Sequence, residues 1–261
     1  MISARFESLR ARGERALVLF VTAGDPSLEV LPAILETLQG AGADLIEIGI
    51  PFSDPIADGP TIQASSQRAL DRGTTPAAVL DTLESVRLEA PIVLMGYWNP
   101  VLRVGPEAFA ARARAAGVSG VILSDLTPEE SDDWCSIARG SHLDTIFLVA
   151  PTSTDERIAL ACARSTGFVY AVSRTGVTGA NSSASPEASD LVRRTRSQTS
   201  LPICVGFGIS TPEHVRTLCR IADGVVIGSL LVDMVASEWD DGRGAHEIAR
   251  AVRSLKAATK E

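Results

Sequence analysis

The stretch "ALVLFVTAGDPSLEVLPAILETLQGAGADLIEIGI" (16–50) decides how the chain folds. Its first run, 16–22, is apolar at successive positions. A strand with one wet face would alternate, so this one reads as buried on both faces, the habit of parallel sheets. From 28 to 42 the apolar residues recur at three and four, the helical period, and Gly40 and Gly42 stand where that helix must stop. A second apolar run follows at 45–49. Strand, helix and strand with doubly buried strands make one unit of a parallel α/β fold. The turn after the first run, "VTAGDPS", is not the glycine fingerprint of an open, doubly wound dinucleotide sheet.

The unit repeats. Further runs stand at 92–98, 120–124, 144–150, 168–173, 202–208 and 224–228, with helical patterns between them. "TPEE" (127–130) and "TPEH" (211–214) carry Thr, then Pro, then acid, as helix starts do. Eight strands, each followed by a helix and with no break for a second domain, predict a single (β/α)8 TIM barrel over 1–261. "MISARFESLRARG" (1–13) is expected to form an extra N-terminal helix covering the barrel's bottom.

Composition narrows the function. The chain is 45% hydrophobic with a net charge of −8, and its basic residues are scattered. The densest cluster, "RRTR" (193–196), reads as a helix face, so no nucleic-acid footprint is expected. No apolar run approaches a membrane span, and the N-terminus lacks a signal-peptide core. Cys135, Cys162, Cys204 and Cys219 lack CxxC spacing and read as buried thiols of a cytoplasmic protein. The only lysines are Lys256 and Lys260, and His142, His214 and His246 lie far apart, so no metal site is expected.

In a barrel, chemistry sits at the C-terminal ends of the strands and in the loops beyond them. Glu47 stands inside the second apolar run, where a carboxylate is costly unless paired or used. No strand supplies a Lys or Arg near its C-terminal end to pair with it; the nearest exception, Arg174, lies in the loop after the sixth strand. A desolvated, unpaired Glu has a raised pKa and suits acid/base work at neutral pH. Asp58 follows in the proline-rich loop "PFSDPIADGP" (51–60); alone it would read as a helix-capping residue, but beside Glu47 it can divide acid from base duty. Asp54 reads as a turn residue or a partner contact. "GFGIS" (206–210) and "VVIGSLL" (225–231) end the seventh and eighth strands, where barrels commonly bind phosphate on backbone N–H groups. "SRTGVTGANSSAS" (173–185), after the sixth strand, reads as a lid. A Schiff-base aldolase needs a lysine inside the barrel and a metal aldolase a cluster of histidines, and neither is available. Carbon–carbon cleavage here therefore needs a substrate that is its own electron sink, such as an indole.

"IEIGIPFSDPIADGPTIQ", "SRTGVTGA", "GFGIS" and "GVVIGS", in this order and spacing, resemble the tryptophan synthase alpha-subunit family over about residues 5 to 250. The resemblance implies a (β/α)8 barrel that cleaves indole-3-glycerol phosphate to indole and glyceraldehyde 3-phosphate without a cofactor of its own. It also implies a pyridoxal-phosphate beta subunit as partner, in an α2β2 assembly. By motif, Glu47 matches the family's acid/base and Asp58 its second catalytic acid, near the indole N–H. Tyr170 matches the tyrosine beside the reacting centre, and Thr178 the lid residue that positions Asp58. Gly179, Gly208, Gly228 and Ser229 match the phosphate-binding backbone; Phe20, Tyr97 and Phe207 match the walls of the indole pocket. Trp98, beside Tyr97, departs from the commoner pattern and is expected to pack outside the pocket, and Thr127 stands where proline is common. Two readings compete with this one. A stand-alone lyase would release free indole, and a silent barrel would only activate its partner; intact Glu47 and Asp58 speak against the latter. A phosphate-sugar isomerase would share the glycine loops but not the carboxylate loop.

Overall fold

The structure, a computed structural model, describes residues 1–172, 184–206, 208–240 and 242–260. Its strands are β1 (Ala16–Thr22), β2 (Leu45–Gly49), β3 (Ile92–Gly96), β4 (Val118–Leu123), β5 (Asp144–Ile146), β6 (Leu148–Val149), β7 (Val169–Val172), β8 (Ile203–Gly206) and β9 (Gly224–Ile227). All described pairings are parallel, in the order β5-β4-β3-β2-β1-β9-β8-β7-β6. The two ends of that ladder, β5 and β6, are separated by Phe147 alone. They are two halves of one barrel strand, so the sheet closes on itself and the (β/α)8 barrel is the observed architecture.

The run at 144–150 was expected as one strand and is two. At the break, the Phe147 N–H donates to Ser165 Oγ at 3.1 Å, while the Phe147 carbonyl accepts from Tyr170 N–H at 3.0 Å. A side chain replaces a ladder partner at the seam, and the regular pattern lapses for one residue.

Alternation along each strand separates two cores. Leu17, Leu19, Val21, Ile46 and Ile48 face outward, into one cluster with the buried face of helix Leu31–Ala41. Ala16, Val18, Leu45, Val93, Ile122, Ile146 and Val226 face inward. The predicted N-terminal helix is Ile2–Ala11, and its Ile2, Phe6 and Leu9 complete the inner cluster from below. Gly120 makes room for this plug, since a Cβ there would lie 2.8 Å from Ile146 Cδ1 and 3.0 Å from Ile2 Cδ1. Gly42, in the left-handed region at φ 113, ends helix Leu31–Ala41 where the sequence placed its stop.

Helix starts follow their sequence signals in part. Thr211 caps helix Pro212–Cys219 through the His214 N–H. At "TPEE" the Pro begins only a 3₁₀ turn, Pro128–Glu130, and the α-helix starts later at Asp132. Several connections carry two helices where one was expected, such as Pro60–Asp71 with Pro76–Glu84. All four cysteines are buried free thiols. Among the described residues no helix is long and apolar enough to cross a membrane, and no three His, Cys, Asp or Glu side chains are grouped to hold a metal.

Candidate active site

A cavity of about 510 Å³ opens at the C-terminal end of the barrel. Glu47 forms part of its floor, inward-facing on β2, fully buried, and neither of its carboxylate oxygens has a hydrogen-bond partner among the described residues. Burial first, and the Asp58 charge second, push its pKa up to about 8. Glu47 is therefore predominantly protonated at neutral pH and can give a proton away.

Asp58 reaches the same cavity from the loop beyond β2. Burial raises its pKa to about 6, against a hydrogen bond from the Tyr97 hydroxyl that pulls it down. It is largely ionised at neutral pH. Two neighbouring carboxyl groups thus hold different charge states, which is the condition for dividing acid from base work.

The loop that presents Asp58 is stapled from several sides. Asp58 N–H donates to the Pro55 carbonyl at 3.0 Å, and Ile56 N–H to the Asp54 carbonyl at 2.9 Å. Gln63 Nε2 donates to the Asp58 carbonyl at 2.8 Å. The Tyr97 hydroxyl also accepts the Ala57 N–H at 3.1 Å, and the Tyr97 ring lies 5.1 Å from that of Phe52. Helix Pro60–Asp71, which follows, is tied to the end of β1. Ser65 Oγ lies 2.6 Å from Thr22 Oγ1, and Arg68 donates to both Asp25 oxygens at 3.0 and 2.6 Å. Asp54, read as a turn residue or a partner contact, accepts from Ser53 Oγ at 2.6 Å.

The walls are apolar. Phe20 lines the cavity and lies so close to Gly49 that a Cβ there would meet its ring at 2.5 Å. Tyr170 lines it beside Gly206, where a Cβ would lie 2.6 Å from the Tyr170 hydroxyl. Burial above all, then the Glu47 charge, hold that phenol well above its usual pKa. Gly208, at φ 62, and Gly228, the N-terminal cap of helix Ser229–Glu238, also line the cavity. That cap makes no side-chain hydrogen bond, and N–H groups of a first helical turn without such a bond suit an anion.

Of the residues singled out from sequence, Glu47, Asp58, Phe20, Tyr170, Gly208, Gly228 and Ser229 line this one cavity. Tyr97 does not; it sits behind Asp58 as its hydrogen-bond donor. Trp98 packs against the outer core, 6.0 Å from Trp134 in an edge-on contact. Thr178, Gly179 and Phe207 lie outside the described residues. Sequence reasoning missed the further walls Met95, Leu148 and Val172. Each stands two residues beyond an inward side chain (Val93, Ile146, Tyr170), so strand parity would have found them. It also missed Asp233, one helical turn after Ser229, whose charge acts on Arg68 beyond the stronger effect of Asp25.

The sequence model of the family described as "Tryptophan synthase alpha chain" matches residues 6–260. The chain belongs to the tryptophan synthase alpha chain family. It is 48% identical to the tryptophan synthase alpha chain of Geotalea daltonii, over 98% of this chain and 97% of that protein. It is 47% identical to the tryptophan synthase alpha chain of Geobacter sulfurreducens, over 100% and 97%. Among solved structures it resembles tryptophan synthase from M. tuberculosis in an open form, with a TM-score of 0.90 at 35% identity and coverage of 100% and 98%. The tryptophan synthase subunit alpha of Legionella pneumophila is similar too, with a TM-score of 0.89 at 33% identity and coverage of 99% and 97%.

Proposed function

We propose that this chain cleaves indole-3-glycerol phosphate to indole and glyceraldehyde 3-phosphate, with Glu47 as the proton carrier and Asp58 as its charged counterpart. The observation that carries the assignment is the fully buried, unpartnered Glu47 with its pKa near 8, beside Asp58 near 6. Protonated Glu47 gives its proton to C3 of the indole ring, which makes the ring an iminium-like electron sink. A base then takes the proton of the hydroxyl on the adjoining carbon. The carbonyl forms, and the carbon–carbon bond breaks with its electron pair returning to the ring. The Glu47 carboxylate left by the first step can serve as that base. Ionised Asp58 offsets the positive charge that develops at the ring N–H. Tyr97 positions Asp58. Phe20, Tyr170, Met95 and Leu148 supply apolar surface for the ring, and the backbone at Gly208, Gly228 and Ser229 takes the phosphate. Lid residues Thr178 and Gly179, and Phe207, complete the pocket in this reading, which treats residues 1–261 as one barrel domain acting in the cytoplasm.

The partner is a pyridoxal-phosphate beta subunit, in an α2β2 assembly. Ile56, in the loop that presents Asp58, is 84% exposed, and Leu102, beyond β3, is 51% exposed. Ile56 is on that loop and Leu102 on the helix Trp98–Val104, and apolar side chains left in water on such connections suit a partner surface. The relatives' descriptions as alpha chains favour this subunit over the stand-alone lyase. The test is indole release from indole-3-glycerol phosphate by the purified chain, alone and with beta subunit. Slow release that rises on adding the partner is expected. No release in either arm would refute the activity, and equal rates would restore the stand-alone reading.

A further inference from the structure

A second cavity, of about 520 Å³, lies away from the catalytic one, at the opposite end of the barrel. It is lined where three helices end and their strands begin: Arg114 on Pro106–Ala115, Arg139 on Asp132–Gly140 and Arg164 on Asp155–Arg164. His142 adds a fourth basic group. In a chain of net charge −8, such a concentration of basic side chains is unexpected. The acid lining the cavity, Asp144, accepts from the Thr166 hydroxyl at 2.9 Å, and Arg164 is paired with Asp132. Among the described residues Arg114 and Arg139 make neither an ion pair nor a side-chain hydrogen bond.

Cations in a helix's last turn could be there for the helix dipole alone. That purpose does not explain Ser119. The β3–β4 register slips at Ile92/Val93, so that Val118 and Gly120 are paired and Ser119 is the extra residue of a bulge. Bulges re-aim side chains. Ser119 lines the cavity, is 4% exposed, and its hydroxyl has no hydrogen-bond partner among the described residues. A buried hydroxyl without a partner costs stability, so its retention wants a partner that comes from outside. Leu143, Cys135 and Ala163 add apolar surface, and the volume exceeds what a single inorganic ion needs.

We infer that this cavity is a second binding site for a small polyanionic metabolite, whose oxyanion groups are taken by Arg114 and Arg139 and by the Ser119 hydroxyl. Phosphate and carboxylate share that chemistry, so the test uses inorganic pyrophosphate and citrate as separate probes. Each is titrated into the full chain while amide and arginine Nε–Hε resonances are followed, with sodium chloride at matched ionic strength as the control. Saturable shifts at Ser119, Arg139 and His142 are expected for at least one probe, and the probe that saturates names the class. The Arg114→Met/Arg139→Met variant should bind that probe at least about 10-fold more weakly and release indole at the wild-type rate. Ser119→Ala should weaken binding several-fold while leaving the unliganded Tm equal or higher, because it removes an unpartnered polar group. A purely structural Ser119 would give the opposite, a lower Tm with unchanged binding. Shifts confined to Gly208 and Gly228, or a response that sodium chloride reproduces, would overturn the site.

Discussion

Asp44 and Glu47 are three residues apart, about 10 Å along the entry to and body of one strand, and both are buried. Their surroundings are opposite. Asp44 accepts from Leu17 N–H at 2.8 Å and from Lys256 Nζ at 2.8 Å, and Lys256 also reaches Glu14 at 3.1 Å. Neither carboxylate oxygen of Glu47 has a hydrogen-bond partner among the described residues. One carboxylate is held by charge and hydrogen bonds at the barrel's bottom, where it ties the last helix to β1 and β2. The other is kept unpaired at the top, where burial sets its proton affinity. An acid that serves the fold is satisfied; in the proposed mechanism the one that serves chemistry is left unsatisfied, and the barrel segregates the two by end.

Exchanging the consequences of the two sites breaks or sharpens that contrast. The largest effect belongs to Glu47→Gln, which keeps the shape and removes the transferable proton. Indole release should fall by roughly 10²–10⁴-fold, with the variant no less stable than wild type at pH 8–9. The reason is the direction of the pKa shift. With a folded-state value near 8 against 4.5, the stability conferred by neutral Glu47 is fully present below pH 4.5 and is lost as pH rises through about 8. Steady-state assay with thermal denaturation across pH 6–9 checks both halves.

Lys256→Met is the mirror image. It preserves the apolar stem that covers Gly42 but leaves Asp44 buried without its cation. Unfolding free energy should drop by about 3 kcal/mol, with kcat at 25 °C unchanged, as chemical denaturation beside activity would show. A smaller effect is expected from Tyr97→Phe. Losing the hydroxyl removes the bond that pulls Asp58 down, so the Asp58 pKa rises above about 6. The acidic limb of kcat/KM should move to higher pH, with activity at pH 7 about 10-fold lower. An unmoved limb would detach Tyr97 from Asp58.

Much of this was legible in the chain itself. The barrel could be read because its strands are apolar on both faces and its helices carry caps such as Thr211 and stops such as Gly42. Glu47 stood out because its neighbours Ile46 and Ile48 announce burial. The seam at Phe147 was not legible, since it depends on Ser165, whose proximity to the strand is a product of folding. The same holds for the supports of Asp58. Arg68 meets Asp25 and Ser65 meets Thr22 across 43 residues of chain, and no local pattern foretells either contact. Tyr97 was found as a residue but given a wall's position; its place behind Asp58 follows from where the 51–60 loop turns back over β3.

The central claim is that Glu47 is a proton carrier because it is buried and left unpaired. Its own titration tests that most directly. Carboxyl ¹³C shifts of glutamate-labelled protein followed from pH 4 to 10, with Glu47→Gln to assign the signal, report it without reference to catalysis. A glutamate resonance that titrates near pH 8 and is missing from the variant is the predicted result. If the signal that disappears in the variant instead titrates at about 4.5, like an exposed glutamate, the contrast with Asp44 carries no chemistry.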